Sequence, residues 1–320
     1  MQPLAFVTAP SPESAADRAR EGGRYFAGGL DLLGEIRRQS AGQTLVDIKS
    51  IPGTRDIVPG PERWTIGANV TVAELLAHPG LAGAFPALAE AAALIGSARI
   101  RGVATVGGNL AQHSRCAYYR SGGPSCRKRG GDVCFARVGE NKHHALLTGG
   151  PCVSPFVSNL AVALAALDAR VVVLRGRRRV RLAVGRLYTA AWRDAAAHNS
   201  LGPADLILRV EIPVVEGRRS AYLQIREESE FDWALVSCAA AARVSGRTIR
   251  GVRIVLGSIA PIPWQLEEAN AVLEGRLVDD DAAAAAAAVL LRKAVPLSST
   301  GYKIPIARAL IRRALQQLVA

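Results

Sequence analysis

No apolar run in this chain approaches the roughly 18 residues needed to cross a bilayer; the longest, 160–167 and 282–291, stop well short. The opening Met1-Gln-Pro-Leu-Ala-Phe6 has neither the basic start nor the apolar core of an export signal, so a soluble, cytoplasmic chain is expected. Aromatic residues make up only 5%, and none are interleaved with the arginines as a stacking platform. Despite a formal charge of +13, no nucleic-acid partner is therefore expected; such a surface suits acidic protein partners instead. Also missing are a Gly-Lys-Ser or Gly-Lys-Thr phosphate loop and the G-x-G-x-x-G spacing, which excludes nucleoside triphosphatase and Rossmann readings. With no Ser/His/Asp ordering, no paired catalytic carboxylates and no His-Glu-x-x-His helix, hydrolysis has no machinery. The chemistry must belong to cofactors.

The cysteines are few but concentrated. Four of five, Cys116, Cys126, Cys134 and Cys152, crowd into one glycine-rich stretch, while Cys238 sits in an apolar run and reads as a small hydrophobe. In a reducing compartment clustered thiols are metal ligands before they are disulfides. No Cys-x-x-Cys knuckle is present, so four thiolates could hold either a tetrahedral zinc or a cubane iron–sulfur cluster, and spacing does not choose. Arg115, Arg127, Lys128 and Arg129 are expected to offset thiolate charge and lower the thiol pKa values. His143 and His144 lie between Cys134 and Cys152 and read as a polar loop pair rather than substitute ligands; His113 is undecided.

Two glycine pairs, Gly28-Gly29 and Gly107-Gly108, each stand between an extended segment and a helix, where missing Cβ atoms let backbone N–H groups converge on an anion. A pyrophosphate would fit between them. The patterning predicts a helix over 30–37 and a strand at 44–48, then a strand at 64–71 leading into a helix capped by Thr71 and Glu74. Helical periodicity also covers 81–95, 160–167 and 306–318, and Asp279, Asp280 and Asp281 start a helix through the alanine tract to Arg292 and Lys293. A strand at 171–174 turns across Gly176 into a solvated arginine edge, and three more strands fall at 221–225, 238–244 and 251–256. A polar link near 213–219 divides the chain at about residue 215.

Four ordered motifs, Ala27-Gly-Gly-Leu-Asp-Leu32, Ile66-Gly-Ala-Asn-Val-Thr71, Ala104-Thr-Val-Gly-Gly-Asn109 and Phe231-Asp-Trp-Ala-Leu-Val236, resemble the FAD-binding medium subunit of molybdenum hydroxylases, the xanthine dehydrogenase family. The resemblance runs nearly end to end, to Gly301-Tyr-Lys303 and the helix after it. It implies an α+β fold: a two-subdomain FAD-binding domain of the vanillyl-alcohol-oxidase type over 1–215 (subdomains about 1–53 and 54–215), then a C-terminal α+β domain over 216–320 resembling the CO dehydrogenase flavoprotein C-terminal domain. FAD would contact Ala27, Gly28, Gly29, Leu30, Asp31 and Leu32, then Thr105, Val106, Gly107, Gly108 and Asn109, with Asn159 and Gln224 nearby. The insert at about 115–152 resembles that of the 4-hydroxybenzoyl-CoA reductase beta subunit, which implies a 4Fe-4S cluster on Cys116, Cys126, Cys134 and Cys152, with zinc the lesser reading.

The sequence departs from the family where Leu30 replaces the usual Thr, Asn159 a frequent Asp and Gln224 a frequent Lys. Losing that Thr hydroxyl costs about 0.5–1.5 kcal/mol net and leaves the backbone donors in place. The partners implied are a large molybdopterin-binding subunit and a small 2Fe-2S subunit, as a dimer of heterotrimers, with an external carrier such as ferredoxin or NAD. A self-contained flavin oxidase and a zinc-stabilised scaffold are the rival readings.

Overall fold

Two short strands and a capped helix open the chain. The computed structural model describes residues 4–36, 43–228 and 231–320. Strand β1 (Ala5–Thr8) leads into helix α1 (Pro12–Arg20), then β2 (Arg24–Phe26), α2 (Leu32–Ile36) and β3 (Thr44–Asp47). The strands form a parallel sheet in the order β1-β3-β2. Helix α1 follows from its cap: the Ser11 hydroxyl accepts from the Ser14 N–H, and Pro12 occupies the first turn where its missing N–H costs nothing. The helix expected over 30–37 starts two residues late, and Arg37 lies outside the described residues.

A second, antiparallel sheet is ordered β4-β5-β8-β6-β7. It begins with β4 (Ile57–Val58) and β5 (Arg63–Gly67), and a helical layer follows: α3 (Val72–Ala77), α4 (Leu81–Ala84), α5 (Pro86–Ala93), α6 (Ala98–Val103) and α7 (Val106–Leu110). After the cysteine-rich stretch, which carries only α8 (Ala117–Arg120) and two 3₁₀ turns, come α9 (Asn159–Ala166), β6 (Arg170–Arg175), β7 (Arg178–Ala183), α10 (Thr189–Arg193) and β8 (Leu206–Pro213). The capping box at Thr71 and Glu74 forms as read from the sequence. The single helix expected over 81–95 does not: the chain breaks at Phe85, because Pro86 has no N–H to continue the ladder and starts a new helix instead. The strand expected over 64–71 likewise ends at Gly67. The arginines flanking Gly176 are more than a solvated edge, since Arg177 reaches Asp17 of α1 at 3.1 Å, Arg175 reaches Asp205 at 2.9 Å and Arg181 reaches Glu211 at 2.6 Å.

The third sheet, ordered β11-β10-β9, pairs β9 (Arg218–Ile225), β10 (Val236–Ser245) and β11 (Thr248–Gly257) antiparallel, and is followed by α11 (Glu267–Ala271), α12 (Asp280–Leu291) and α13 (Lys303–Val319). Side chains of β10 alternate between two cores: Cys238, Ala240 and Ala242 pack with residues of α12 and α13, while Ala239 and Ala241 join the core of the second sheet and α9. A strand buried on both faces reads as a continuous apolar run, and small alanines let helices approach from either side. Cys238 is fully buried there, its thiol pushed up to about 12 by burial, away from the other four. No helix among the described residues is long and apolar enough to cross a membrane.

Candidate functional site

The first glycine pair forms an open cradle. Residues 27–31 join β2 to α2, and the backbone N–H groups of Gly28, Gly29, Leu30 and Asp31 donate to no acceptor among the described residues. A Cβ on Gly28 would lie 2.0 Å from the Val103 carbonyl oxygen, so only glycine lets this loop press against the end of α6. That contact brings the loop beside Ala104, joining two motifs that start 77 residues apart in sequence (Ala27 and Ala104). Ala27 and Leu32 are packing residues at its two ends, whereas the Leu30 side chain is exposed.

The second pair is built differently. Thr105 caps α7 by accepting from the Gly108 N–H at 3.1 Å, so Gly107 and Gly108 lie inside the first helical turn rather than in a turn before it. Val106 donates to the Val70 carbonyl at 2.8 Å, Gly107 to that of Ala68 at 2.7 Å, and Asn109 to that of Thr105 at 2.8 Å. The expected convergence of free amides is therefore absent here, because the protein itself consumes them. Gly107 permits close packing instead: a Cβ would meet that of Ala68 at 2.9 Å. The motif at 66–71 is the brace behind this turn, with Asn69 buried and donating to the Ile48 carbonyl and the Thr54 hydroxyl at 2.6 and 2.8 Å.

A polar chain links the turn to the third sheet. Ser158 donates to Asn109 Oδ1 at 2.7 Å, Asn159 at the start of α9 donates to Gln224 Oε1 at 3.1 Å, and Tyr222 donates to the same oxygen at 2.9 Å. Where the resemblance leads one to expect an acid and a base, a neutral amide pair stands. Gln224 Nε2 is buried without a partner, a costly state for a donor unless something polar binds beside it.

The cradle is tied to the cysteine-rich stretch by one carboxylate. Asp31 accepts from the His113 N–H at 2.8 Å, from Arg115 at 2.6 Å and from Arg120 at 3.0 Å. Nearby, Glu35 is buried; burial alone would raise its pKa, but hydrogen bonds and charge from His113 and Arg24 prevail and hold it at about 2. His113 also stacks on His198 at 4.0 Å, and burial, with the charges of His113 and Lys128, lowers His198 to about 2. A neutral His198 accepts from the Ser114 N–H at 3.2 Å. Arg115 further spreads its guanidinium over the half-exposed Trp233 ring at 4.7 Å, the aromatic of the fourth motif.

All four clustered cysteines line one cavity, together with His144, Tyr118, Tyr119, Arg127 and Lys128. Cys116, Cys126 and Cys134 each precede a short helical turn, and Cys126 is folded toward Cys134 by the bond from the Arg127 N–H to the Val133 carbonyl at 2.9 Å. Among the described residues no three His, Cys, Asp or Glu side chains stand close enough to hold a single metal ion. A second cleft, lined by Gln112, His113, Ser158 and His198, shares Lys128 and Ser154 with the cysteine cavity.

Two sequence expectations need correction. Burial pushes the Cys116 thiol up to about 11 and raises that of Cys152, where it outweighs the lowering by the Lys128 charge. Most of those bases brace backbone instead: Arg129 donates to the Ser121 and Pro124 carbonyls at 2.9 and 2.6 Å, Arg127 to that of Asp132 at 2.8 Å, and Lys128 to that of Ala197 at 2.7 Å. The histidine pair also splits. His143 is exposed beside Glu227, but His144 is buried with Nε2 3.2 Å from Cys116 Sγ. The one sequence signal for this was its place between two cysteines.

An open amide cradle, an orphaned buried amide and a thiol-lined cavity are features that bound cofactors would complete. The family model described as "FAD binding domain in molybdopterin dehydrogenase" matches residues 6–215, and that described as "CO dehydrogenase flavoprotein C-terminal domain" matches 220–318. The chain belongs to this family of FAD-binding oxidoreductase subunits. It is 29% identical over 271 residues to the aldehyde oxidoreductase FAD-binding subunit PaoB of Escherichia coli K12, covering 83% of this chain and 84% of that one. It is 25% identical over 298 residues to the carbon monoxide dehydrogenase medium chain of Hydrogenophaga pseudoflava, covering 91% and 88%. Among solved structures, a Cu,Mo-CO dehydrogenase chain superposes with a TM-score of 0.78 at 22% identity, covering 100% and 99%. A chain of quinoline 2-oxidoreductase from Pseudomonas putida 86 gives 0.75 at 20%, covering 99% of each.

Proposed function

We propose that this chain is the flavin and iron–sulfur subunit of a molybdenum hydroxylase-type complex. It would pass electrons between the 2Fe-2S clusters of a small partner subunit and an external carrier such as ferredoxin or NAD. A large molybdopterin subunit would bind the organic substrate, the whole forming a cytoplasmic dimer of heterotrimers. The observation that carries the iron–sulfur part is the convergence of Cys116, Cys126, Cys134 and Cys152 on one cavity that shares Lys128 and Ser154 with the neighbouring cleft.

The residues fit both groups. Bound FAD supplies reversible electron uptake and a 4Fe-4S cluster passes electrons singly. For the flavin, Gly28, Gly29, Leu30 and Asp31 offer open N–H donors to a diphosphate. Ala27, Leu32, Thr105, Val106, Gly107, Gly108 and Asn109 shape the walls, and Asn159 with Gln224 presents the orphaned Nε2. For the metal centre, a single zinc would require sulfurs about 3.8 Å apart, given Zn–S bonds near 2.3 Å in a tetrahedron. Among the described residues no three such ligands stand that close, whereas a cubane takes one thiolate on each of four irons, which the four cysteines lining the cavity could supply.

The test is anaerobic purification of the full chain, followed by a visible spectrum with flavin, iron and zinc assays. FAD together with cluster iron is the expected result. Stoichiometric zinc without iron overturns the cluster, and organic-substrate turnover by the chain alone would favour a self-contained oxidase.

A further inference from the structure

His144 is the one imidazole in the cysteine cavity, and its position is fixed from behind. Its backbone N–H donates to the Asn141 carbonyl at 2.8 Å. Asn141 is itself buried and locked to the turn before α13, donating to the Ser298 hydroxyl at 3.0 Å and accepting from the Ser299 N–H at 2.9 Å. Tyr302 secures the next residue by donating to the Lys142 carbonyl at 2.9 Å. The ring thus meets Cys116 Sγ at 3.2 Å with little freedom to turn away.

The proton's place follows from what the sulfur becomes. A thiolate bound to iron is an acceptor only, so the nitrogen facing it must carry the hydrogen. Nδ1, buried without a partner, is then left as a lone pair, the less costly of the two ways to orphan that atom. No Asp or Glu lines the cavity to compete for the donor.

We propose that His144 is a positioning residue for the iron–sulfur centre: its Nε2–H donates to the Cys116 sulfur and raises the cluster's reduction potential, biasing electrons toward the cluster and away from the flavin. The inference rests on the reading that the four cysteines hold a cluster. A hydrogen bond to a ligand sulfur stabilises the more negative, reduced cluster more than the oxidised one, and a buried bond does so with little screening.

The test uses the full chain in its complex, comparing wild type with His144→Leu and His144→Gln by iron content and by redox titration of the cluster. His144→Leu should keep its iron and shift the sharing of one electron between cluster and flavin about tenfold toward the flavin, that is, about 59 mV. His144→Gln, whose amide nitrogen reaches the same place, should restore most of the shift. Retained iron with an unmoved potential in His144→Leu overturns the inference and leaves the cluster reading intact. Wild-type protein without iron overturns the cluster reading and this inference with it. Should His144→Leu fail to assemble, the reduced wild-type cluster with ¹⁵N-labelled histidine decides: a histidine nitrogen hyperfine coupling supports the bond, and none refutes it.

Discussion

The glycine cradle and the cysteine-rich stretch meet at Asp31, yet opposite means hold them. The cradle is carried by regular structure: β2 and α2 fix its ends, and the helix cap at Thr105 and the brace at 66–71 fix its floor. Its own amides are therefore left open to a ligand. Between 115 and 152 only short helical turns form, and the carbonyls that those turns leave over are met in large part by side chains, among them Arg127, Arg129 and Arg137. Regular elements free backbone donors for binding, while an irregular loop must import donors, which accounts for part of the chain's basic excess.

The largest effect that would break this contrast lies in the cysteines. Cys126→Ala should remove the cluster iron while leaving flavin bound, measured by iron and flavin assays on one preparation. If iron is unchanged, the ligand assignment is wrong. Next, Gly28→Ala should weaken flavin binding at least about 100-fold, or about 2.8 kcal/mol, because its Cβ has no space against Val103. Iron content should hold, and equal loss of both groups would mean the two regions are one unit.

Arg129→Ala sharpens the comparison from the other side. Removing its bonds to the loop carbonyls should cost about 1–3 kcal/mol locally, seen as faster iron loss to a chelator at unchanged flavin affinity. The smallest effect is electrostatic. Glu35 is held at about 2 against an ordinary 4.5, so its ion pairs contribute stability that is fully present above pH 4.5 and lost as pH falls through about 2. Urea unfolding of Glu35→Gln should lack that part of the acid dependence. An unchanged profile would mean that Glu35 is not held below the ordinary carboxylate range in the folded protein.

How far the sequence carried depends on the kind of signal. Capping boxes, acid-started helices and the apolar run of β10 are local patterns, and Thr71, Asp279 and the alternation around Cys238 turned out as their chemistry requires. The break at Pro86 is equally local, since a proline inside an apolar helical run ends it at the preceding residue. What the dipeptides do not encode is that the Gly107 amide is taken by Ala68, from elsewhere in the chain, while that of Gly28 is left open. The same holds for His144. Its burial is decided by Asn141 reaching Ser298, more than 150 residues away, and no spacing rule encodes that.

That reach couples the pocket to a distant part of the chain. Asn141 closes on Ser298 and Ser299, Thr148 donates to the Val295 carbonyl, and Leu297 packs against Ala136, Ala145 and Val153. The wall behind the thiol pocket is completed by residues 157 positions further along the chain, so it closes only when the turn before α13 has packed against it. Damage to that turn would leave the thiols of the insert open to oxidants.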